Sequence, residues 1–162
     1  MSQKQRTKLA ELGNEQRFTF NGRFKKYGFK YKDYRKNHAV PTLLLTNIEL
    51  LTDNKKLNVA DHLWFNLTKG FKSLGILKIG DVVQFNGRIA SYTKGYQGFR
   101  PDINKSITLD YGITRPSKVS LLIPDKHIPW TGENWEICNQ IYDMYLSDYN
   151  ARNIGKPYLD LY

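Results

Sequence analysis

The sequence predicts a mainly β fold: a five-stranded Greek-key barrel with a C-terminal α-helix. Three observations predict it. Apolar and polar residues alternate over 17–31, 62–67 and 82–92, the period of strands that bury one face, and two further stretches, 40–51 and within 106–123, also read as strands. Only one short segment, between the third and fourth stretches, has the look of a helix or turn. Helical spacing of large apolar residues begins only after a Pro- and Gly-containing loop at 124–132.

Residues 1–16 are polar and charged, with Leu9 and Leu12 as their large apolar side chains, and read as an N-terminal arm. The first strand starts at Arg17. Phe18, Phe20, Gly22 and Phe24 alternate with Thr19, Asn21 and Arg23; after Lys25-Lys26 the alternation resumes one residue out of step, through Tyr27, Phe29 and Tyr31. A one-residue slip inside a long strand is what a β-bulge produces, and Gly22 and Gly28 permit a bend. Residues 32–39 read as a loop and 40–51 as the second strand, with Pro41 near its edge. Residues 52–60 read as a turn or short loop. In the third strand, 62–67, Leu63, Phe65 and Leu67 share one face and His62, Trp64 and Asn66 the other.

Residues 69–79 fit a short helix or turn, and Gly80-Asp81 a turn. The fourth strand, 82–92, alternates Val83, Phe85, Gly87 and Ile89 with Gln84, Asn86, Arg88 and Ala90. A long loop, 93–105, leads to one or two strand pieces within 106–123, with Pro116 marking a break. The segment FNGR occurs at 20–23 and again at 85–88; two strands that bend around one small barrel each favour a glycine at the bend. Thr131 is the expected N-cap of a helix over 133–150, with Glu133 and Glu136 near its positive end.

This order of elements is that of an OB-type barrel, five-stranded and partly open, over residues 17–123, with 124–162 packed on it or on a partner. In that architecture ligand crosses the sheet and is clamped by the loops after the first and fourth strands. The formal net charge is +10, which points to a polyanionic partner, nucleic acid before an anionic membrane. Cations and aromatics are interleaved where such a ligand would lie. Lys25, Lys26, Lys30, Lys32, Arg35 and Lys36 accompany Tyr27, Phe29, Tyr31 and Tyr34; Lys94 and Arg100 accompany Tyr92, Tyr96 and Phe99. Cations neutralise phosphates and release counterions, and aromatic faces stack unpaired bases.

The residues expected to hold single-stranded nucleic acid are Arg23, Lys25, Lys26, Tyr31, Tyr34, Arg35, Lys36, Trp64, Arg88, Lys94, Tyr96, Phe99 and Arg100. Tyr27, Phe29 and Tyr31 either line the core of the bent strand or stack bases. Trp64 is either a stacking platform or packing beneath the C-terminal helix.

Residues 79–89, IGDVVQFNGRI, place an apolar residue and Gly-Asp before an alternating strand. This resembles the fourth-strand signature of OB-fold single-stranded DNA-binding proteins. The resemblance spans about 17–123 and implies a binding site on the sheet and two loops. The Lys, Asn, Ile and Tyr usage suits the AT-rich genome of a low-GC bacterium, its phages or mobile elements. Unlike bacterial housekeeping members of that group, the chain has no Gly/Pro/Gln-rich tail with an acidic tip, and it adds a Tyr-rich helix.

That helix carries Glu133, Glu136, Asp143 and Asp148, so it is expected to face away from DNA. Trp135, Ile141, Tyr142, Tyr145 and Tyr149 would pack on the barrel, or would hold a replication protein or a second copy of the chain.

Catalytic signals are absent. His38, His62 and His127 are far apart and Cys138 is the one cysteine, so no zinc spacing exists. There is no Walker loop, dinucleotide fingerprint or nucleophile elbow. The expectation is a non-enzymatic protein without cofactor. It binds single-stranded DNA, largely regardless of sequence, in replication, recombination or transfer. An OB-fold adaptor that recruits a processing protein through its C-terminal helix and an RNA-binding OB domain are the alternatives. Residues 1–10 lack the apolar stretch of a signal peptide, and no window approaches the ~18 apolar residues of a membrane span. A soluble cytoplasmic protein is expected.

Overall fold

The computed structural model describes residues 16–32, 38–53, 55–94 and 108–158, with 92–94 and 108–110 as backbone alone. Five strands run in the order β1 (Arg17–Tyr31), β2 (Ala39–Thr52), β3 (Lys55–Asn66), β4 (Val82–Lys94) and β5 (Thr108–Leu121). A one-turn helix, α1 (Lys69–Lys72), joins β3 to β4; α2 (Asn134–Met144) and α3 (Leu146–Ala151) follow β5. All ladders are antiparallel, and the sheet order is β3-β2-β1-β4-β5. The sub-order 4-1-2-3 is a Greek key.

The slip in β1 is a bulge. Phe24 pairs with Leu45 and Lys26 with Leu44, leaving Lys25 as the extra residue. The bulge keeps Phe20 and Phe24 before it, and Tyr27 after it, in the core. A second irregularity lies between Asn21 and Arg23, where Asn47 of β2 takes a positive φ of 51°. There β1 and β2 approach closely. A Cβ on Gly22 would stand 2.9 Å from Ile48 Cδ1 and 3.0 Å from Leu45 Cβ, so a larger residue would have to displace these core side chains.

Phe65 of β3 meets Phe85 of β4 at 5.2 Å between ring centroids, although two strands separate them in the sheet. The sheet must therefore curl strongly around one core. Phe71 of α1 enters the open end, 5.7 Å from Phe65 and 6.1 Å from Phe85. Its hydrophobic face explains why one helical turn forms: Thr68 caps it, accepting from Phe71 N–H, and Phe71 is fully buried.

The expectation of a barrel holds only in part. The fold is mainly β, with five antiparallel strands and C-terminal helices, but the sheet is open, with β3 and β5 as its edges. Along β5, Pro116 lacks an N–H, and Arg115 and Lys118 take positive φ values of 52° and 50° at two register shifts against β4. Proline and bulges keep an edge from extending the ladder. They also let 108–121 run as one strand through Pro116.

Three expected boundaries move. The third strand begins at Lys55 rather than His62, because Thr52 pairs directly with Lys55 across a tight hairpin. The N-cap of α2 is Glu133, not Thr131; Glu133 N–H donates to Glu136 Oε1 at 3.2 Å. The single expected helix is two, broken at Tyr145, whose φ and ψ are −119° and 33°. Its side chain explains the break: Tyr145 Oη accepts from Tyr27 N–H of β1 at 3.1 Å, an anchor that holds this residue against the sheet.

Candidate nucleic-acid interface

One face of the first three strands gathers the cations and the tryptophan. Residues directly opposite in a ladder share a face. Arg23, Thr46 and His62 form one row, Lys26, Leu44 and Trp64 the next, and Gly28, Thr42 and Asn66 the third. Arg23, Lys25 and Lys30 are exposed and Lys26 is half-buried.

Trp64 is the centre of this face. Its side chain is 49% exposed, so it is not buried beneath the C-terminal helices. Lys26 Nζ lies 5.9 Å from the indole centroid, a cation–π distance. Three neighbouring clefts share Trp64 in their walls. One, of about 330 Å³, includes Lys30, Thr42 and Asn66. A second, of about 440 Å³, runs between β3 and the β4–β5 arm, with Lys30, Leu63, Ala90, Gly112 and Thr114 in its walls. The third, of about 450 Å³, lies between β1 and α3. The second cleft is where the two sheet edges face each other without pairing.

The other expected contact residues divide. Arg23 is on the same face but lines a separate small cleft with Glu49 and Lys56. Arg88 pairs with Thr114, one ladder step from the β3–β5 cleft, and its Nε is buried with no hydrogen-bond partner. Tyr31 is half-buried and stacks edge-on against Phe29, their centroids 5.9 Å apart; burial raises its hydroxyl pKa. Lys94 is described as backbone at the end of β4. Tyr34, Arg35, Lys36, Tyr96, Phe99 and Arg100 lie outside the described residues. The stems of both expected clamp loops nevertheless adjoin the clefts: Lys30 precedes one, and Ala90 and Gly112 flank the other.

One of the ambiguous aromatics, Tyr27, is core, whereas Phe29 is half-buried and lines two of the clefts beside Trp64. Tyr27 is 2% exposed; its hydroxyl donates to Gly75 C=O at 3.3 Å and accepts from Leu77 N–H at 2.8 Å. Burial pushes its pKa up to about 12. Phe29 packs against Tyr149 at 5.1 Å.

The C-terminal aromatic stripe is mostly used within the chain. Ile141, Tyr142 and Tyr149 are buried, and Tyr145 packs against the core. Trp135 remains 47% exposed, with its Nε1 donating to Glu133 Oε2 at 3.2 Å. Sequence reading missed Gly28 and Arg152, which join Trp64 only through tertiary contacts.

Among the described residues, no group of three His, Cys, Asp or Glu side chains could hold a metal ion. No helix among them is long and apolar enough to cross a membrane. No family model matches the chain, and neither does a curated protein or a solved structure.

Proposed function

We propose that this chain is a single-stranded DNA-binding protein on an OB-type barrel opened between β3 and β5. It binds largely without regard to sequence, in replication, recombination or transfer of DNA, and is not an enzyme. The observation that carries the proposal is Trp64: a half-exposed indole at the meeting of three clefts, with Lys26 over its ring and Lys30 in two of those clefts. A half-exposed indole offers a base a stacking surface that any sequence can use, and the lysines offer charge to the adjoining phosphates. Duplex DNA buries its bases and cannot use the platform.

The OB-type reading is supported by the Greek-key order, by α1 placed between the third and fourth strands with Phe71 in the core, and by the cleft shared by the two sheet edges. The net charge of +10 suits the same ligand.

The experiment is fluorescence anisotropy of labelled oligo-dT, an equal-length duplex and oligo-U across a salt series. Tighter binding of oligo-dT than of duplex, weakening with salt, is the expected result. Equal binding of duplex and single strand would overturn the reading. Preference for oligo-U over oligo-dT would move the ligand to RNA.

A second reading, an adaptor, is favoured by Trp135, Met144 and Leu146, which leave 42–47% of their surface exposed on the C-terminal helices. Absence of single-strand binding at every salt concentration would favour it.

A further inference from the structure

We infer that α3 is the far wall of a nucleotide subsite, so that the C-terminal helices hold the DNA strand as it leaves Trp64. This rests on the single-strand reading above. The third cleft has Lys26, Gly28 and Trp64 on its sheet side and Tyr145, Tyr149 and Arg152 on its helix side. At about 450 Å³ it falls within the ~300–1,000 Å³ of small-molecule sites.

The cleft exists because β1 outruns β4. Their ladder ends at Arg23–Val82, and beyond it the β4-side edge of β1 meets the helices instead, where Tyr145 Oη takes the N–H of Tyr27. The acids of the helix side are paired in part, although Asp148 itself lines the cleft. Asp148 is held by Arg152 at 2.6 Å and Asp143 by Lys156 at 3.5 Å. Glu133 and Glu136 sit at the start of α2, where the helix dipole favours negative charge.

Arg152 is positioned for an anion. Its guanidinium carbon lies 5.2 Å from the Tyr149 ring centroid, and Asp148 fixes its direction. One carboxylate engages at most two of the five guanidinium N–H donors, and the Arg152 side chain is half-exposed. An unpaired base against Trp64 thus has two cations, Lys26 and Arg152, on opposite walls for its flanking phosphates.

Two measurements on the full chain test this. The first compares wild type, Arg152→Gln and Trp64→Ala for oligo-dT affinity across salt, with circular dichroism to verify folding. Arg152→Gln is expected to bind about fivefold more weakly, with a salt slope shallower by about 0.7, the share of one phosphate contact on a single strand. The second needs no variant: wild-type protein is photocrosslinked to oligo-dT bearing 5-iododeoxyuridine, and the crosslinked peptides are mapped. Crosslinks are expected within residues 145–154 as well as at Trp64. If wild type binds oligo-dT and Trp64→Ala weakens it, but Arg152→Gln binds like wild type and 145–154 stay unlabelled, the subsite is refuted and the single-strand reading stands. If wild type binds no single strand, both fall.

Discussion

Trp64 lies across Gly28, with β2 between their strands: a Cβ on Gly28 would stand 3.1 Å from Trp64 Cζ3 and 3.2 Å from Cη2. The indole leans diagonally over Thr42, whose Oγ1 is equally close to that position, at 3.2 Å. A glycine in the middle of a strand weakens it; here it makes room for the platform.

Three substitutions separate the ring from its position. Trp64→Ala removes a stacking surface worth roughly 1–3 kcal/mol, so oligo-dT affinity falls about 5- to 150-fold. Trp64→Phe keeps a π-face and recovers part of the loss. Gly28→Ala leaves the ring intact but pushes it outward by a few tenths of an ångström, and is expected to weaken binding less than Trp64→Ala. Anisotropy titration of the three variants checks the order; a Gly28→Ala protein that binds as weakly as Trp64→Ala would contradict it.

Lys26 and Lys30 flank the indole along β1 and act through charge. Lys26→Gln and Lys30→Gln are expected to weaken dT, dA and mixed oligomers by similar factors. Each lowers the slope of log K against log salt by about 0.7. The pair together lowers it by about twice that. A variant that altered the preference among bases without changing the slope would show a lysine reading bases instead of phosphates.

Much of this face was legible before the structure, and the reason is periodicity. The parity change at Lys25-Lys26 marks the bulge, and the alternation from Leu63 to Leu67 puts Trp64 on the solvent side. What periodicity cannot carry is which rows meet. The contact of Trp64 with Gly28 depends on two ladders and a bulge between them, and Arg152 reaches the same cleft from the C-cap of α3, 88 residues beyond Trp64. The helix break at Tyr145 is hidden for the same reason, since helical spacing continues through it while a strand N–H holds its hydroxyl. The open edge was half-legible: Pro116 announces an irregular strand, but not that among the described residues β5 pairs with β4 alone.

Tyr145→Phe tests that anchor. Removing the hydroxyl leaves the N–H of Tyr27 without this acceptor in a part-buried place, at a cost of about 1–3 kcal/mol. Urea unfolding should shift its midpoint down with the slope unchanged. Amide exchange at Tyr27 should quicken more than at Phe20, which lies in the continuous part of the β1–β4 ladder. Uniform quickening across β1 would mean that the hydroxyl stabilises the fold as a whole without holding this edge.

Burial raises Tyr27, Cys138, Tyr31 and Tyr149, and the first two, with the largest shifts, should weigh most in alkaline unfolding. Tyr27 goes from 10.0 to about 12 and Cys138 from 9.0 to about 12. In each case the folded state prefers the neutral form, so the unfolded chain releases its proton first as pH rises. Stability contributed by these groups is therefore intact below pH 9, declines from there as the unfolded thiol and then the unfolded phenol ionise, and is lost by about pH 12. A two-unit shift at Tyr27 corresponds to about 3 kcal/mol at most. Urea midpoints at pH 8, 10, 11 and 12 should fall steadily for wild type. Tyr27→Phe should start lower at pH 8, because Leu77 N–H loses its acceptor, and then fall less between pH 10 and 12. Parallel curves for the two proteins over that interval would show that another group governs the alkaline limb.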